Sequence, residues 1–435
     1  MKTRDILGLN SRNVLFSSKY NKKGGKLIAN HKLLTKNVLR KAKLPIPKLY
    51  RVFRRFEDID KFNFLKKLPE SYVIKPDNSL GGEGILVIER QGRYAGEWIT
   101  TTEDTKTVND LKLLLREIIE GRFSMRGQPD FAFVEERIRV HPIFEKVSWG
   151  GTPDIGVVVF NRIPVMAFLR LPTKESGGRA NMHQGAIACG IDISSGITIG
   201  GVKGSKEIDF FPGTRRKLKG IKIPIWDEIL KLAINCQLTV PELNFMRVDI
   251  ALQPSLKKPG KTFPKVLELN AQPGLKIQLA NKAGLRRRLE RVEGLEVDSP
   301  EKGIKIAKAL FLDPKLRDIV TGKKTVNVFH QVEVQSFLGD RISVQAKVDT
   351  GAYTTSIDRK LAQKLGLLHP ENILFEGVYK SALGRQKRPV VPVTFFLSGQ
   401  KIKTTANISD RSNLKRPMII GRGDLKGFLV SSDIK

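Results

Sequence analysis

The residues best suited to chemistry in this 435-residue chain sit in three places. The apolar pair Val73-Ile74 runs into Lys75-Pro76 and is followed by Asp77-Asn78-Ser79-Leu80-Gly81-Gly82-Glu83-Gly84. A lysine closing a buried strand just before a glycine-rich turn suits phosphate. The glycines let backbone N–H groups approach an anion, and the ammonium adds a point charge. No Gly-Lys-Ser/Thr follows, so this is not a P-loop, and a hairpin without a ligand explains the stretch about as well. Further on, Asp249 lies in an apolar run, and Glu268-Leu269-Asn270 closes another. Glu268 and Asn270 share one strand face because side chains alternate. With Asp249 they make an oxygen-donor set for Mg²⁺ that leaves positions for phosphate oxygens. Carboxylates at strand ends can be merely solvated, but Asn270 breaks a strand without packing gain unless its amide is used. The third place is Phe133-Val134-Glu135-Glu136-Arg137-Ile138, a strand whose backbone N–H and C=O groups suit the edge of an adenine ring.

These groups need elements to hold them. Residues 31–43 place Leu33, Leu34, Val38 and Leu39 at helical spacing, and Pro45 stops the helix. Tyr72 to Lys75 and Leu86 to Arg90 are expected as strands around the glycine turn, and Val108 to Glu120 as a helix ended by Gly121. Further strands are expected over 131–138, 154–160, 165–171, 245–252 and 264–269, and a helix over 302–311. Beyond a connector the chain turns to short β-type runs at 326–335, 341–348, 390–396, 401–408 and 418–420. The boundary is placed near 322, giving units 1–322 and 323–435, each large enough to fold.

Taken in order, these residues resemble the ATP-grasp superfamily over about 26–290, and within it the α-L-glutamate ligase-like branch related to ribosomal-protein-modifying ligases. The resemblance implies an α+β ATP-grasp fold to about residue 320. It also implies ATP and Mg²⁺ as cofactors, with Mn²⁺ as a substitute. Asn30-His31-Lys32 looks like the family's Asp-Lys helix start. Lys32 and Lys75 then stand as phosphate lysines, and Gly81, Gly82 and Gly84 as the loop over the triphosphate. Glu135, Glu136 and Ile138 resemble the adenine hinge, and Asp249, Glu268 and Asn270 the metal ligands. Arg170, followed by Arg179-Ala180-Asn181-Met182-His183-Gln184-Gly185, is similar to the ligases' Arg-x-Asn-x-His-x-Gly, where arginine and asparagine face phosphate and the acceptor carboxylate. For His183 alone a structural histidine fits as well as a catalytic one. The branch carries Asp-Ile-Arg where this chain has Asp154-Ile155-Gly156, which puts the substrate in question rather than the nucleotide site. The implied reaction forms an acyl phosphate from a carboxylate and ATP, then an amide with an amine. Glutamate and a peptide or protein acceptor are the implied substrates.

In the second unit, Asp349-Thr350-Gly351-Ala352 follows a β-type run, and Met418-Ile419-Ile420-Gly421 comes later. An aspartate at a strand-to-turn junction beside Thr and Gly is what an aspartic peptidase uses, two such carboxylates sharing a proton to activate water. The pair of motifs resembles a small all-β retropepsin-like barrel, in some families labelled a putative ATP-dependent zinc protease. His330 and His369 are isolated and give the zinc label no support. One Asp-Thr-Gly implies a homodimer with Asp349 at its two-fold axis, and residues 376–389 as the flap. A barrel that docks partners without cutting explains the residues as well.

Composition bounds the rest. Seventy-seven Lys and Arg against 44 Asp and Glu leave a net charge of +33, which favours acidic or nucleic-acid partners without choosing between them. Residues 1–60 hold 16 basic and 4 acidic side chains, a solvated surface or a dock for an acidic or ribosome-associated partner. The second unit has 19 basic and 9 acidic residues, so the basicity is spread. No stretch is apolar enough to span a membrane, and residues 1–16 lack the apolar core of a secretory signal, so neither a span nor a signal is expected. The two cysteines, Cys189 and Cys236, exclude a disulfide scaffold or zinc finger, and a reducing cytoplasm is expected. A primarily nucleic-acid-binding protein is the weaker reading, because no RNP motif, KH loop or zinc knuckle occurs. A small-peptide-forming enzyme of the same superfamily is a third.

Overall fold

The computed structural model describes residues 3–79, 81–124, 127–255, 258, 260–311, 324–381, 384–411 and 416–431. The chain divides into two compact units, Met1–Leu312 and Asp313–Lys435. The boundary expected near 322 lies outside the described residues.

The first unit has two antiparallel sheets. The first joins β1 (Leu49–Phe53), β2 (Tyr72–Pro76), β3 (Leu86–Gln91), β4 (Glu97–Thr100), β5 (Thr105–Thr107) and β6 (Ala132–Glu136) in the order β1-β6-β2-β3-β4-β5. Helix Val108–Ile119 packs on it through Leu111, Leu115 and Ile118, all fully buried with Tyr72, Ile74 and Ile88. Burying each such side chain contributes about 1.5–3 kcal/mol. Thr107 and Asp110 close a capping box at the helix start, so it begins where the sequence says it should.

The second sheet joins β7 (Asp154–Phe160), β8 (Ile163–Leu171), β9 (Ile187–Ile191), β10 (Thr198–Lys203), β11 (Lys206–Ile208), β12 (Phe245–Pro254) and β13 (Thr262–Asn270). Its order is β11-β10-β9-β8-β7-β12-β13. Every residue of β7 is buried, as a strand covered on both faces requires. Helices Trp226–Thr239 and Pro300–Phe311 contact its central strands. Cys189 on β9 and Cys236 in helix Trp226–Thr239 are free and buried, which pushes Cys189 up to about 12 and raises Cys236 as well.

The second unit has its own core around Val332, Ala346, Phe395, Ile408 and Ile420. Its strands are β14 (Lys324–Asn327), β15 (Phe329–Gln335), β16 (Arg341–Asp349), β17 (Thr355–Asp358), β18 (Phe375–Ser381), β19 (Gly384–Leu397), β20 (Gln400–Ser409), β21 (Met418–Gly421) and β22 (Phe428–Ser431). The main sheet runs β15-β16-β21-β17-β20-β19-β18, with a further β15–β19 pairing, and β14 pairs β22. The pairings show a mixed sheet, and the expected retropepsin-like barrel goes beyond them. The expected flap is the hairpin of β18 and β19, whose residues 382–383 lie outside the described residues.

Candidate active site

The lysine wall is built on β2 and the helix Lys32–Lys41. Asp77, just after β2, accepts the Leu33 N–H at 2.6 Å on one oxygen, and its other oxygen lies 2.8 Å from His31 Nδ1. A carboxylate there satisfies a free N–H at the helix start. The resembled Asp-Lys start is therefore His31-Lys32 here, with the acid supplied across space by Asp77. Lys32 Nζ donates to the carbonyls of Asp77 and Ser79 at 3.3 and 3.1 Å, tying it to the base of the glycine loop.

Lys75 and Glu135 occupy one face of the first sheet, where Val73 pairs Glu135 and Lys75 pairs Phe133. Lys75 Nζ lies 2.6 Å from a Glu135 oxygen, and Lys36 meets the other. The hinge expectation needs adjusting for this side chain. Glu135 is buried against two lysines and its backbone is paired with β1 and β2, so reading an adenine falls to the residues that follow it. Burial raises the Glu135 carboxyl, but Lys36 and then Lys75 outweigh that and hold it below the usual range. For Lys36, burial dominates and lowers its pKa, opposed by Glu135. Glu136 points the other way, to Lys265 at 2.6 Å. Ile138 is buried just beyond the strand.

Gly81, Gly82 and Gly84 all have φ between 69° and 82°, a left-handed conformation that a Cβ disfavours. Gly81 and Gly82 line the cleft; Gly84 instead packs on Phe123. Asn181 Nδ2 donates to the Gly81 carbonyl at 2.7 Å, and its Oδ1 accepts the His183 N–H at 2.9 Å. Arg179 and His183 are exposed on the cleft wall.

Opposite stands a row of charged side chains set by strand register. Arg247 pairs Asn270 and Asp249 pairs Glu268 across β12 and β13, while Asp154 pairs Arg170 across β7 and β8. Asn270 Nδ2 reaches Asp249 at 3.1 Å and Glu268 at 3.4 Å, so the expected donor trio does meet. Arg247 grips Asp249 with bonds of 2.6 and 2.7 Å, and Arg170 adds one at 2.8 Å. Arg170 also holds Asp154 at 2.6 and 2.7 Å. Burial pushes Asp154 up to about 6, against Arg170 and with Asp249. Burial acts likewise on Asp249, but Arg170 and Arg247 outweigh it and hold that carboxyl low. Glu268 has no basic side chain within ion-pair distance among the described residues. The set suits a hard cation through Glu268, whose carboxylate has no counter-ion; Asp249 would join it by giving up bonds from Arg247, Arg170 and Asn270, and Asn270 by turning its oxygen inward. Among the described residues no three His, Cys, Asp or Glu side chains gather, so the amide is needed to complete it.

Sequence reasoning missed Lys36 and Arg247, and named Asp154 only within the Asp154-Ile155-Gly156 departure, without a role in the site. Lys36 is one helical turn from Lys32 and Arg247 two residues from Asp249, so periodicity held both signals. The glycine at 156 also has a reason: a Cβ there would lie 2.2 Å from Phe168 Cε1. The guanidinium carbons of Arg170 and Arg247 lie 5.6 and 5.8 Å from that ring's centroid. Phe168 and its arginines fill the space a side chain at 156 would need.

Lys32, Lys75, Gly81, Gly82, Glu135, Glu136, Ile138, Arg170, Arg179, Asn181, His183, Asp249, Glu268 and Asn270 all line one cleft of about 680 Å³. Asp349 belongs to the other unit. There its Oδ1 accepts the Gly351 and Ala352 N–H groups at 3.0 and 3.3 Å, and Lys347 Nζ lies 3.3 Å from Oδ2. Burial raises this carboxyl, but the Gly351 N–H and Lys347 bring it below its ordinary value.

The sugar-transfer associated ATP-grasp family matches residues 11–294, well over half the chain and all of the cleft. The chain belongs to that family. This ATP-grasp protein has no match among curated proteins. Among solved structures it is similar to D-alanine–D-alanine ligase from Bacillus anthracis complexed with ATP. The identity is 15% and the TM-score 0.36, over 66% of this chain and 70% of that one. A Legionella pneumophila protein of unknown function is similar at 14% identity and TM-score 0.18, over 26% of this chain and 95% of that one. The retroviral protease-like domain of a Leishmania major protein is similar at 21% identity and TM-score 0.19, over 23% and 74%. No described helix of this ATP-grasp protein is long and apolar enough to cross a membrane.

Proposed function

We propose that the first unit is an ATP-dependent carboxylate–amine ligase. One observation carries this: phosphate-suited lysines and glycines face an arginine-backed acid and amide trio across a single cleft. A carboxylate oxygen attacks the γ-phosphorus, releasing ADP and leaving an acyl phosphate. An amine nitrogen then attacks the acyl carbon, phosphate leaves, and the amine loses its proton. Because anions must meet, the protein's work is alignment and charge offset. Lys75 and Lys32 face the phosphates, Gly81 and Gly82 lend backbone N–H groups, and the segment from Glu136 to Ile138 reads the adenine. Asp249, Glu268 and Asn270 are the residues that would hold Mg²⁺ or Mn²⁺, whose charge when bound offsets the phosphate oxygens. Arg170, Arg179 and Asn181 orient phosphate and the acceptor carboxylate, and His183, exposed on the cleft wall, is the proposed acceptor of the amine's proton. The cleft walls carry nine basic and seven acidic side chains, a balance that favours a polyanion.

Glutamate, added to a peptide or protein acceptor, is the proposed chemistry, and the +33 charge suits an acidic or ribosome-associated acceptor in the cytoplasm. Saturating ATP with Mg²⁺ is expected to stabilise the protein by about 2–4 kcal/mol in thermal melts. ADP release screened against the twenty amino acids and acidic peptides then identifies the substrates. Absence of any ATP-induced shift would refute the nucleotide reading.

For the second unit we infer an aspartic-peptidase-like domain, acting as a homodimer through Asp349. The support is Asp349 at the end of β16, paired with Gly421 of β21. A docking domain that does not cut is favoured instead by Lys347, whose ammonium keeps the carboxylate ionised rather than sharing a proton. Asp349→Asn is expected to abolish cleavage of acidic peptides and leave ATP turnover unchanged. Cleavage that survives this change rules the dyad out; no cleavage by the unaltered chain favours docking.

A further inference from the structure

Lys75 does not face the cleft alone. Its ammonium lies 2.6 Å from one oxygen of Glu135, and the other oxygen of that carboxylate is taken by Lys36. Lys36 stands one turn beyond Lys32, so both project from one face of their helix. Side-chain exposure is 4% for Lys36, 1% for Glu135 and 16% for Lys75. One buried carboxylate is thus shared by two ammoniums, and Lys75 is the one more open to the cleft. Among the described residues Glu135 is the one acid within ion-pair distance of either lysine. With both lysines protonated the trio has one positive charge in excess, and an unbalanced buried charge is costly.

We propose, on the footing of the nucleotide reading above, that Lys36 is a positioning residue acting through Glu135. By occupying half of the carboxylate it keeps Glu135 from closing with both oxygens on Lys75, and leaves the charge of Lys75 available to phosphate. Without Lys36, Glu135 and Lys75 form a balanced buried pair. A triphosphate then has to displace the carboxylate and leave it without a counter-ion beside a polyanion. With Lys36 present, Lys75 turns to phosphate while Glu135 retains a partner.

This predicts an unusual rescue. A lysine that only fills space gains nothing when its partner is removed too, whereas a shared carboxylate that competes for Lys75 does harm only while it is there. ATP binding to the full chain, measured by calorimetry with Mg²⁺, is expected to weaken about tenfold in Lys36→Met. The double variant Lys36→Met/Glu135→Gln is expected to return to within about threefold of the unaltered protein. Adenosine, which lacks phosphates, is expected to bind all three alike, which separates charge tuning from damage to the fold. Lys36→Met binding ATP normally, or the double variant binding more weakly than the single one, overturns the proposal while the nucleotide site stands. No ATP binding by the unaltered chain overturns both.

Discussion

Glu268→Gln is expected to lower ATP-dependent ligation by about a thousandfold or more while changing folding stability by less than about 1 kcal/mol. The contrast follows from what Glu268 touches. It is half-buried, accepts the Asn270 amide at 3.4 Å, and has no Lys or Arg within ion-pair distance among the described residues. No internal partner is stranded by neutralising it. What is lost is the one carboxylate of the trio whose charge is uncommitted. ADP release at saturating ATP, with a melting curve on the same sample, checks both halves. Turnover within tenfold of the unaltered enzyme would show that the charge of Glu268 is not used.

Asp249→Asn is expected to fail in the opposite way, through the fold. Asp249 is fully buried and receives three bonds from Arg247 and Arg170. Removing its charge leaves two buried guanidiniums with Asp154 as their remaining acid. Breaking a buried pair from one side costs about 3–5 kcal/mol. The chain's three tryptophans, Trp98, Trp149 and Trp226, all lie in the first unit, so fluorescence during denaturation follows this unit alone. A loss under about 1 kcal/mol would mean that the arginines find other partners and that the row on β7, β8, β12 and β13 is less interlocked than its geometry implies.

Much of this was legible in residue order. The strands at Tyr72–Pro76, Leu86–Gln91 and Asp154–Phe160 and the helices Lys32–Lys41 and Val108–Ile119 announced themselves through period and punctuation: Pro45, Gly121 and the glycine turn. Helix Trp226–Thr239 did not. Eight of its fourteen residues are buried, so it lacks the polar stripe that marks a surface helix. The long run expected over 326–335 is two strands, β14 and β15, with different partners, a split that depends on pairing rather than on local sequence. In the site, motif spacing named the trio because its members are close in sequence. The bridge from Lys36 and Lys75 to Glu135 joins three distant segments: the pairing of β2 with β6 brings Lys75 to Glu135, and the helix Lys32–Lys41 brings Lys36. Nor could spacing show that Arg170 is held by acids, since Asp154 reaches it from the neighbouring strand β7 and Asp249 from β12, one strand further.

The two sulfurs of the first unit have a practical meaning. Sealed from solvent and held as thiols, they offer almost no nucleophile to an alkylating reagent while the sheet and its helix stay closed. Any labelling therefore times the moments when the unit opens, one tag reporting from a strand and the other from a helix. The native chain thus carries its own clock for breathing, and the drag that bound nucleotide puts on that clock can be read without altering a residue.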